Sequence, residues 1–357
     1  MIPKSNGKMR PLTVAPPRDK IVQEVIRMIL EAIFEPTFST HSHGFRPNRS
    51  CHTALRQVKT QFGASSYYLE GDISNCFDSF DHHVLMNIIE CKIKDRRFTN
   101  LIWKALRAGY FEFHKAQQSI TGTPQGSILS PLLANIYLHS FDKFVENRIA
   151  EYNRGKEARI SKEYKRIDHL QEKAKRKGDT RDALKFLKMK QRIPSRVHAD
   201  PNFRRMYYVR YADDWIIAIR GPLADVRQLL LDIKDFLKRE LKLELSMEKT
   251  KITNPRIKPA LFLGTEISIS RHVYSRKGKH GQFLRVPSQI RLLAPIQRIY
   301  EKMINVGFMD GDLKGTPRFL WKDLNKDAII TLYNNVLRGY LNYYSFTNNY
   351  NHLASSL

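Results

Sequence analysis

Cysteine is scarce and poorly placed. The 357-residue chain has three, Cys51, Cys76 and Cys91, an odd count with wide separations and no CxxC pair, which excludes a disulfide scaffold and a structural zinc site and points to a reducing compartment. No apolar run reaches the roughly 18 residues that a bilayer-spanning helix needs, and there is no isolated basic amphipathic tail of the kind that lies on membranes. Met1 leads straight into Ile2, Pro3 and Lys4 without an apolar signal core or an Arg/Ser-rich leader, so the protein is expected to act where it is made. Internal repeats and low-complexity tracts are absent as well. Negative charge is in short supply: 35 acidic residues face 61 basic ones, a net charge of +26. The excess is spread along the chain, as suits a surface tracking a polyanion over many contacts, and nucleic acid is the partner it fits. The hydrophobic content of 42% is ordinary for a globular protein of two or three cooperating domains.

Against that background one pentad stands out. Arg210, Tyr211, Ala212, Asp213 and Asp214 lie between two β-type runs, Met206 to Val209 and Trp215 to Ile219, so adjacent carboxylates are expected at the tip of a hairpin. Asp is also an ordinary turn former, and the pair alone is weak. A third carboxylate, Asp72, ends the apolar run Tyr67, Tyr68, Leu69. If that run is a strand beside the hairpin, three carboxylates converge in a setting suited to hard divalent cations and to two-metal phosphoryl transfer.

The rest of the chain yields a coarse plan. A Gly/Lys-containing hairpin pattern opens it, followed by a helix over Ile21 to Phe34 whose apolar positions Val22, Val25, Ile26, Ile29, Leu30 and Ile33 keep helical spacing. Ser66 to Asp72 is expected as a strand, His83 to Ile93 and Phe98 to Ala108 as helices, and Leu129 to Val145 as a longer helix. Residues 151–207 have the charged, aromatic-poor character of a solvated helical hairpin, either a spacer or an RNA-contacting arm. Leu223 to Leu241 is helical, with apolar Val226, Leu229, Leu230, Ile233 and Phe236, and Ala260 to Ser270 alternates as a strand. Near the end Tyr333, Leu337, Tyr340, Leu341 and Tyr344 share one helical face, which argues for core, and Arg338 and Asn342 fall on the polar side, from which any RNA contact would come. Cys76 lacks a His or CxxC partner and is expected to be a buried small hydrophobe. Asp78 and Asp81 are expected to cap the helix entered near His83.

The series IPKSNGKMRPL (Ile2 to Leu12), HGFRPNR (His43 to Arg49), GDISNCFDSFDH (Gly71 to His82), GTPQGSILSPLLAN (Gly122 to Asn135), YADD (Tyr211 to Asp214), FLG (Phe262 to Gly264) and LRGYLNYY (Leu337 to Tyr344) resembles the reverse transcriptases encoded by group II introns. The last motif is similar to the maturase, or X, region of that family. The resemblance implies an α+β right-hand polymerase with fingers at 1–66 together with 84–120, a palm with an antiparallel sheet at 67–83 and 121–282 that carries the insertion, and an α-helical thumb/maturase region at 283–357. It implies RNA-directed DNA synthesis, together with binding of the host intron RNA and help with its splicing. The rival is an RNA-binding maturase whose polymerase site is unused.

Residue by residue, the resemblance implies Asp72, Asp213 and Asp214 as catalytic metal ligands for two Mg2+ ions, or Mn2+, with the backbone carbonyl of Ile73 completing the set. Lys4 and Arg10 occupy positions that hold the triphosphate of a deoxynucleoside triphosphate in similar enzymes. Phe77 corresponds to an aromatic under the incoming sugar, where its bulk disfavours ribonucleotides. Gln125, between Pro124 and Gly126, is similar to the template and nucleotide contact, with Asn135 in support. Gly44, Phe45 and Arg46 look like contacts to the RNA template, and a plain turn explains them as well. Tyr211 and Ala212 precede the carboxylates where a small residue lets the primer end approach. Leu263 and Gly264 resemble the grip on the DNA primer. The YADD turn in place of GDD, and Phe77, speak against RNA-templated RNA synthesis. The segment Arg192 to Arg205 is similar to that of organellar intron maturases, so translation and action inside the mitochondrion are expected, with the bacterial cytoplasm as alternative. A His/Cys-rich endonuclease module is not seen after LRGYLNYY, so autonomous retrohoming is not expected.

Overall fold

The structure, a computed structural model, describes residues 15–74, 76–107, 127–197, 200–270 and 289–357 in full, and the backbone of six short strands at 2–3, 9–10, 110–112, 115–117, 274–277 and 283–286. Strands β1 (Ile2–Pro3) and β2 (Met9–Arg10) pair antiparallel, as the opening pattern leads one to expect. Helix α1 (Pro17–Phe34) has Pro at its first position, where a missing N–H costs nothing. Then come α2 (Cys51–Gln61), started by a Ser50/Thr53 capping box, β3 (Tyr67–Gly71), the one-turn α3 (Cys76–Ser79), α4 (His82–Lys92) and α5 (Arg96–Arg107). Asp81 caps α4, accepting from the amides of His83 and Val84. A small hairpin, β4 (Tyr110–Glu112) and β5 (Lys115–Gln117), precedes the long α6 (Ser130–Tyr152), and the charged insertion is the expected antiparallel pair α7 (Lys162–Arg176) and α8 (Thr180–Arg192).

The sheet that carries the acidic pentad follows. Strand β6 (Arg205–Tyr211) turns directly into β7 (Asp214–Arg220), which pairs antiparallel with β3, which in turn pairs with β8 (Lys251–Thr253) after helix α9 (Leu223–Glu240). Both sheet faces are covered, which is why β7 reads as a continuous apolar run. Leu69, Ile217 and Ile219 pack with α6 and α9 in one core, and Tyr68, Ile216 and Ala218 pack with α2 in another. Next come β9 (Ala260–Phe262), β10 (Thr265–Ile269), β11 (Tyr274–Lys277), β12 (Phe283–Val286), β13 (Ile290–Leu293), and the helices α10 (Ile296–Val306), α11 (Lys326–Tyr343) and α12 (Tyr350–Ser356). Antiparallel sheets followed by helices make the fold α+β, as expected. No helix among the described residues is long and apolar enough to cross a membrane.

Two expectations need correction. Ala260 to Ser270 is two strands, because Leu263 and Gly264 take positive φ of 48° and 63° and fold the chain back on itself; an apolar turn residue hides the break from any alternation rule. The aromatic stripe of α11 is half-buried rather than core: α11 has no fully buried residue, and Tyr344, just past its end, alone of the stripe is buried. The helix expected over Ile21 to Phe34 forms within α1; Ile26, Leu30 and Phe34 are its buried residues, and Val22, Val25, Ile29 and Ile33 are exposed.

Candidate active site

The pentad forms a tight hairpin in which Tyr211 pairs with Asp214, leaving Ala212 and Asp213 at the tip. Ala212 is held at φ 56°, a left-handed conformation uncommon for a residue with a Cβ, and the structure around it accounts for this. Arg210, fully buried, donates from Nη1 to the Ala212 carbonyl at 2.8 Å, and from Nε and Nη2 to both oxygens of Asp142 on α6 at 2.7 and 2.6 Å. Burial opposes the guanidinium's charge, but the Asp142 carboxylate outweighs it and leaves the Arg210 pKa raised. Asn135 accepts from Arg210 and donates to the Gly44 carbonyl at 2.8 Å, and Ser42 accepts from Arg210 at 2.9 Å.

Gly44 is therefore seated against the turn. A Cβ there would stand 2.3 Å from the Ala212 nitrogen, so only glycine allows this approach. The HGFRPNR motif is thus tied to YADD from behind. Phe45 is exposed, with its ring 6.4 Å from those of both Phe77 and Tyr211, so the three aromatics form a wall beside the carboxylates. The expectation that Arg46 meets a template is not met. Its side chain is buried, paired with Glu35 at 2.8 Å and donating to the carbonyls of Ser39 and Ser42, so its charge is spent on the loop.

The pairing of Gly71 with Trp215 puts the next residue, Asp72, beside Asp214. Crowding by protein on its inner side, then the charges of Asp213 and Asp72, push the Asp214 carboxyl up to about 7, with Lys249 opposing. Its outer surface is exposed to solvent. Lys249, just before β8, donates from Nζ to Asp72 Oδ2 at 2.5 Å, and its own pKa is raised by that hydrogen bond and by all three carboxylates. Among the described residues no three His, Cys, Asp or Glu side chains already form a cluster able to hold an ion. The donor set nonetheless fits a hard divalent cation: carboxylate oxygens at one end of the sheet, a carboxyl whose pKa is raised by burial and by its acidic neighbours, and an ammonium drawn in as counter-charge. The Ile73 side chain is buried and its backbone bridges to Leu245. Cys76 is buried, and its thiol is pushed well up by that burial and then by Asp213, which agrees with an inert role.

On the other side of the sheet the Leu263–Gly264 turn is tied to the helical region. Tyr343 donates to the Leu263 carbonyl at 2.7 Å, Tyr344 donates to the Gly264 carbonyl at 3.0 Å, and His52 on α2 donates to the Tyr343 carbonyl at 2.8 Å. Arg338 and Asn342 are exposed on α11. Lys4 and Gln125 lie outside the described residues, and of Arg10 only the strand is described.

Sequence reasoning missed Asp142, Lys249 and the tyrosine clamp. Asp142 left a trace, since an acid next to Phe141 and within a turn of Leu138 and Val145 on an apolar helix face needs a buried partner. Lys249 left none, because it meets Asp72 across 177 positions.

Residues 2–267 match the reverse transcriptase (RNA-dependent DNA polymerase) family and residues 288–357 the type II intron maturase family. The chain belongs to the reverse transcriptases and maturases encoded by group II introns. It is 44% identical to an uncharacterized 91 kDa protein in the cob intron of Schizosaccharomyces pombe, over 99% of this chain and 44% of that one. It is 40% identical to the group II intron-encoded protein LtrA of Lactococcus lactis subsp. cremoris, over 98% of this chain and 60% of that one, and 40% identical to the putative COX1/OXI3 intron 1 protein of Saccharomyces cerevisiae, over 100% and 44%. The chain thus spans about half the length of the curated relatives it matches.

Proposed function

We propose that the protein is an RNA-directed DNA polymerase that extends a DNA primer on an RNA template and also binds the RNA of its host intron to assist splicing. The observation that carries this reading is the register that sets Asp72 beside Asp214, with Asp213 in the adjoining turn and Lys249 bonded to Asp72. Asp72 and Asp213, with Asp214 beside them and the Ile73 carbonyl completing the set, would hold two Mg2+ ions. Such ions, when bound, lower the pKa of an attacking hydroxyl and stabilise charge on the leaving oxygen.

The chain's own residues do the rest. The Arg210–Asp142 pair fixes the turn so that the carboxylates are preset before substrate arrives, which lowers the reorganisation needed at the moment of reaction. Phe77, beside Phe45, would lie under the sugar and exclude a 2'-hydroxyl, selecting deoxynucleoside triphosphates. Lys4, Arg10 and Gln125 are assigned to the nucleotide, Tyr211, Ala212, Leu263 and Gly264 to the primer, and Gly44 with Phe45 to the template side. We assign 1–66 with 84–120 to fingers, 67–83 with 121–282 to palm, and 283–357 to thumb and maturase region. Fungal intron relatives and a bacterial one frame the compartment, and we assign the mitochondrion, with bacterial cytoplasm as the alternative.

The test is Mg2+-dependent primer extension by the purified chain, wild type against Asp213→Asn. The variant should lose extension while keeping its RNA affinity, because the basic surface is untouched. Undiminished extension would remove the carboxylates from the reaction. Phe77→Ala should raise ribonucleotide incorporation, and unchanged sugar selection would free Phe77 of that role.

A further inference from the structure

The loop that leads into β8 is laid along the backbone that follows Asp72. The Ser246 amide donates to the Asp72 carbonyl at 2.9 Å, the Ser74 amide donates to the Glu244 carbonyl at 2.9 Å, and Leu245 bridges to Ile73 between them. Thr250 then closes a turn over 247–249, donating to the Ser246 carbonyl from its amide at 2.9 Å and from its hydroxyl at 2.7 Å. That turn carries Lys249, whose ammonium meets Asp72 Oδ2 at 2.5 Å. The lysine is thus positioned by the backbone of the residue it bonds, although the two are 177 positions apart.

The side chain itself is not packed in place. It is 71% exposed, against 13% for Asp72, so charge holds it there. Neighbouring lysines serve other acids: Lys242 pairs with Asp81 at 2.6 Å, and Lys251 stands opposite Glu70 in the β3–β8 register. An exposed ion pair is weak, and an ammonium on a flexible stem leaves it at little cost. What Lys249 covers is the little of Asp72 that is open. A hard cation takes carboxylate oxygens by direct contact, and the register that sets Asp214 beside Asp72 gives it more than one. The ammonium and such an ion therefore compete for Asp72.

We propose that Lys249 is a stand-in cation: in the metal-free chain its ammonium holds the divalent-ion place on Asp72, and it turns out to solvent once an ion is bound. The proposal rests on the reading of Asp72, Asp213 and Asp214 as ion ligands. It gives the lysine two opposed effects, since it steadies adjacent carboxylates while the site is empty and weakens ion binding by the same contact. An ion pair with a merely structural role stabilises the fold equally in both states.

The test reads Lys249 itself in the full chain, without nucleotide or primer. Reductive methylation with isotope-labelled formaldehyde keeps the charge and gives the lysines NMR signals, and the Lys249 signal is the one lost in Lys249→Arg. Titration with Mg2+ should move it to the position it takes in Asp72→Asn without Mg2+. Lys249→Met should bind Mn2+, counted by electron paramagnetic resonance, about two- to fivefold more tightly than wild type, the strength of an exposed ion pair. Its melting temperature should lie below that of wild type in EDTA, and the gap should close in saturating Mg2+. A Lys249 signal that stays in place at Mg2+ concentrations that displace bound Mn2+ overturns the proposal, as does a melting gap of the same size with and without Mg2+. A wild-type chain that binds no Mn2+ overturns it together with the ion-ligand reading. A chain that releases Lys249 yet extends no primer counts against the polymerase reading alone.

Discussion

Arg210 and Asp142 form an ion pair with both side chains fully excluded from solvent, 2.6 Å between Nη2 and Oδ2. Taking two charges out of water is costly, and such a pair persists when further hydrogen bonds satisfy it. Here Tyr208 donates to Asp142, Ser42 accepts from Arg210 Nη2, and Nη1 donates to both Asn135 and the carbonyl of Ala212. The pair therefore does more than join α6 to β6, since it holds the conformation of the residue that precedes Asp213.

That relationship separates stability from activity. Asp142→Leu alone leaves a buried guanidinium without its counter-charge and should lower the unfolding free energy by about 3–5 kcal/mol, read from urea melts. Adding Arg210→Met should restore most of that loss, since an apolar pair of similar volume is often neutral or better. Primer extension should stay low in the double variant, because the Ala212 carbonyl has lost its donor. Recovery of extension along with stability would reduce the pair to a structural role.

How far this was legible follows from the range of each interaction. The β6–β7 hairpin and Asp72 at a strand end show up in local alternation, and the α7–α8 hairpin in charge and helical spacing. The α6 helix was foreseen, but the fact that Asn135 and Asp142 on it hold up the acidic turn was not, because their partners lie at Gly44 and Arg210, and spacing rules see only neighbours. Arg46 misled for the related reason that an Arg in a loop motif looks available until Glu35 is seen beside it. The roles proposed for Phe77 and for the Leu263–Gly264 turn rest on family resemblance, not periodicity. Spacing alone places the tyrosine stripe in a core because aromatic faces usually are buried, and it says nothing of the hydroxyls at the stripe's end, which are the part that reaches the turn.

Those hydroxyls give the second prediction. Tyr343→Phe and Tyr344→Phe each remove a donor and leave a carbonyl of the Leu263–Gly264 turn unsatisfied, a loss of about 1–3 kcal/mol where the acceptor is buried. If the turn holds the primer, the double variant should make shorter products per binding event, measured with a trap that prevents rebinding, while single-nucleotide addition changes little. Unchanged product length at a lowered melting temperature would leave the tyrosines as cement between the helical region and the sheet.

The third concerns pH. His43 is buried, with its ring nitrogens 2.9 Å from Thr53 Oγ1 and 2.7 Å from Gln57 Oε1, and burial pulls its pKa down to about 4. Between the unfolded value near 6.5 and that folded value the unfolded chain binds a proton that the folded chain refuses. Stability from this group is therefore complete above about pH 6.5 and is lost as pH falls toward 4, by about 3 kcal/mol. His41 and His139 are lowered by burial too, so the wild-type limb is a sum. His43→Gln should flatten the limb by its own share in chemical melts at stepped pH. Parallel wild-type and variant curves would show that His43 is not a source of acid sensitivity.

The last prediction separates the two proposed activities on one chain. Arg338 and Asn342 are exposed on α11, whose opposite side packs Val336 and Tyr340 against Ile299 and Met303, so changing them should leave the fold intact. Arg338→Ala removes a guanidinium suited to RNA phosphate or to stacking on an unpaired base, and Asn342→Ala removes an amide that both donates and accepts. Binding to structured intron RNA should weaken about tenfold for the pair, in line with the loss of one charge-assisted contact, and assisted splicing should slow with it. Extension on a pre-annealed generic primer and template should fall much less, since neither side chain touches the acidic turn. Both assays belong on the same preparation, with thermal melting as the control for folding. Equal losses in the two activities at an unchanged melting temperature would mean that α11 serves the polymerase alone, and the assignment of intron binding to this face would have to be withdrawn.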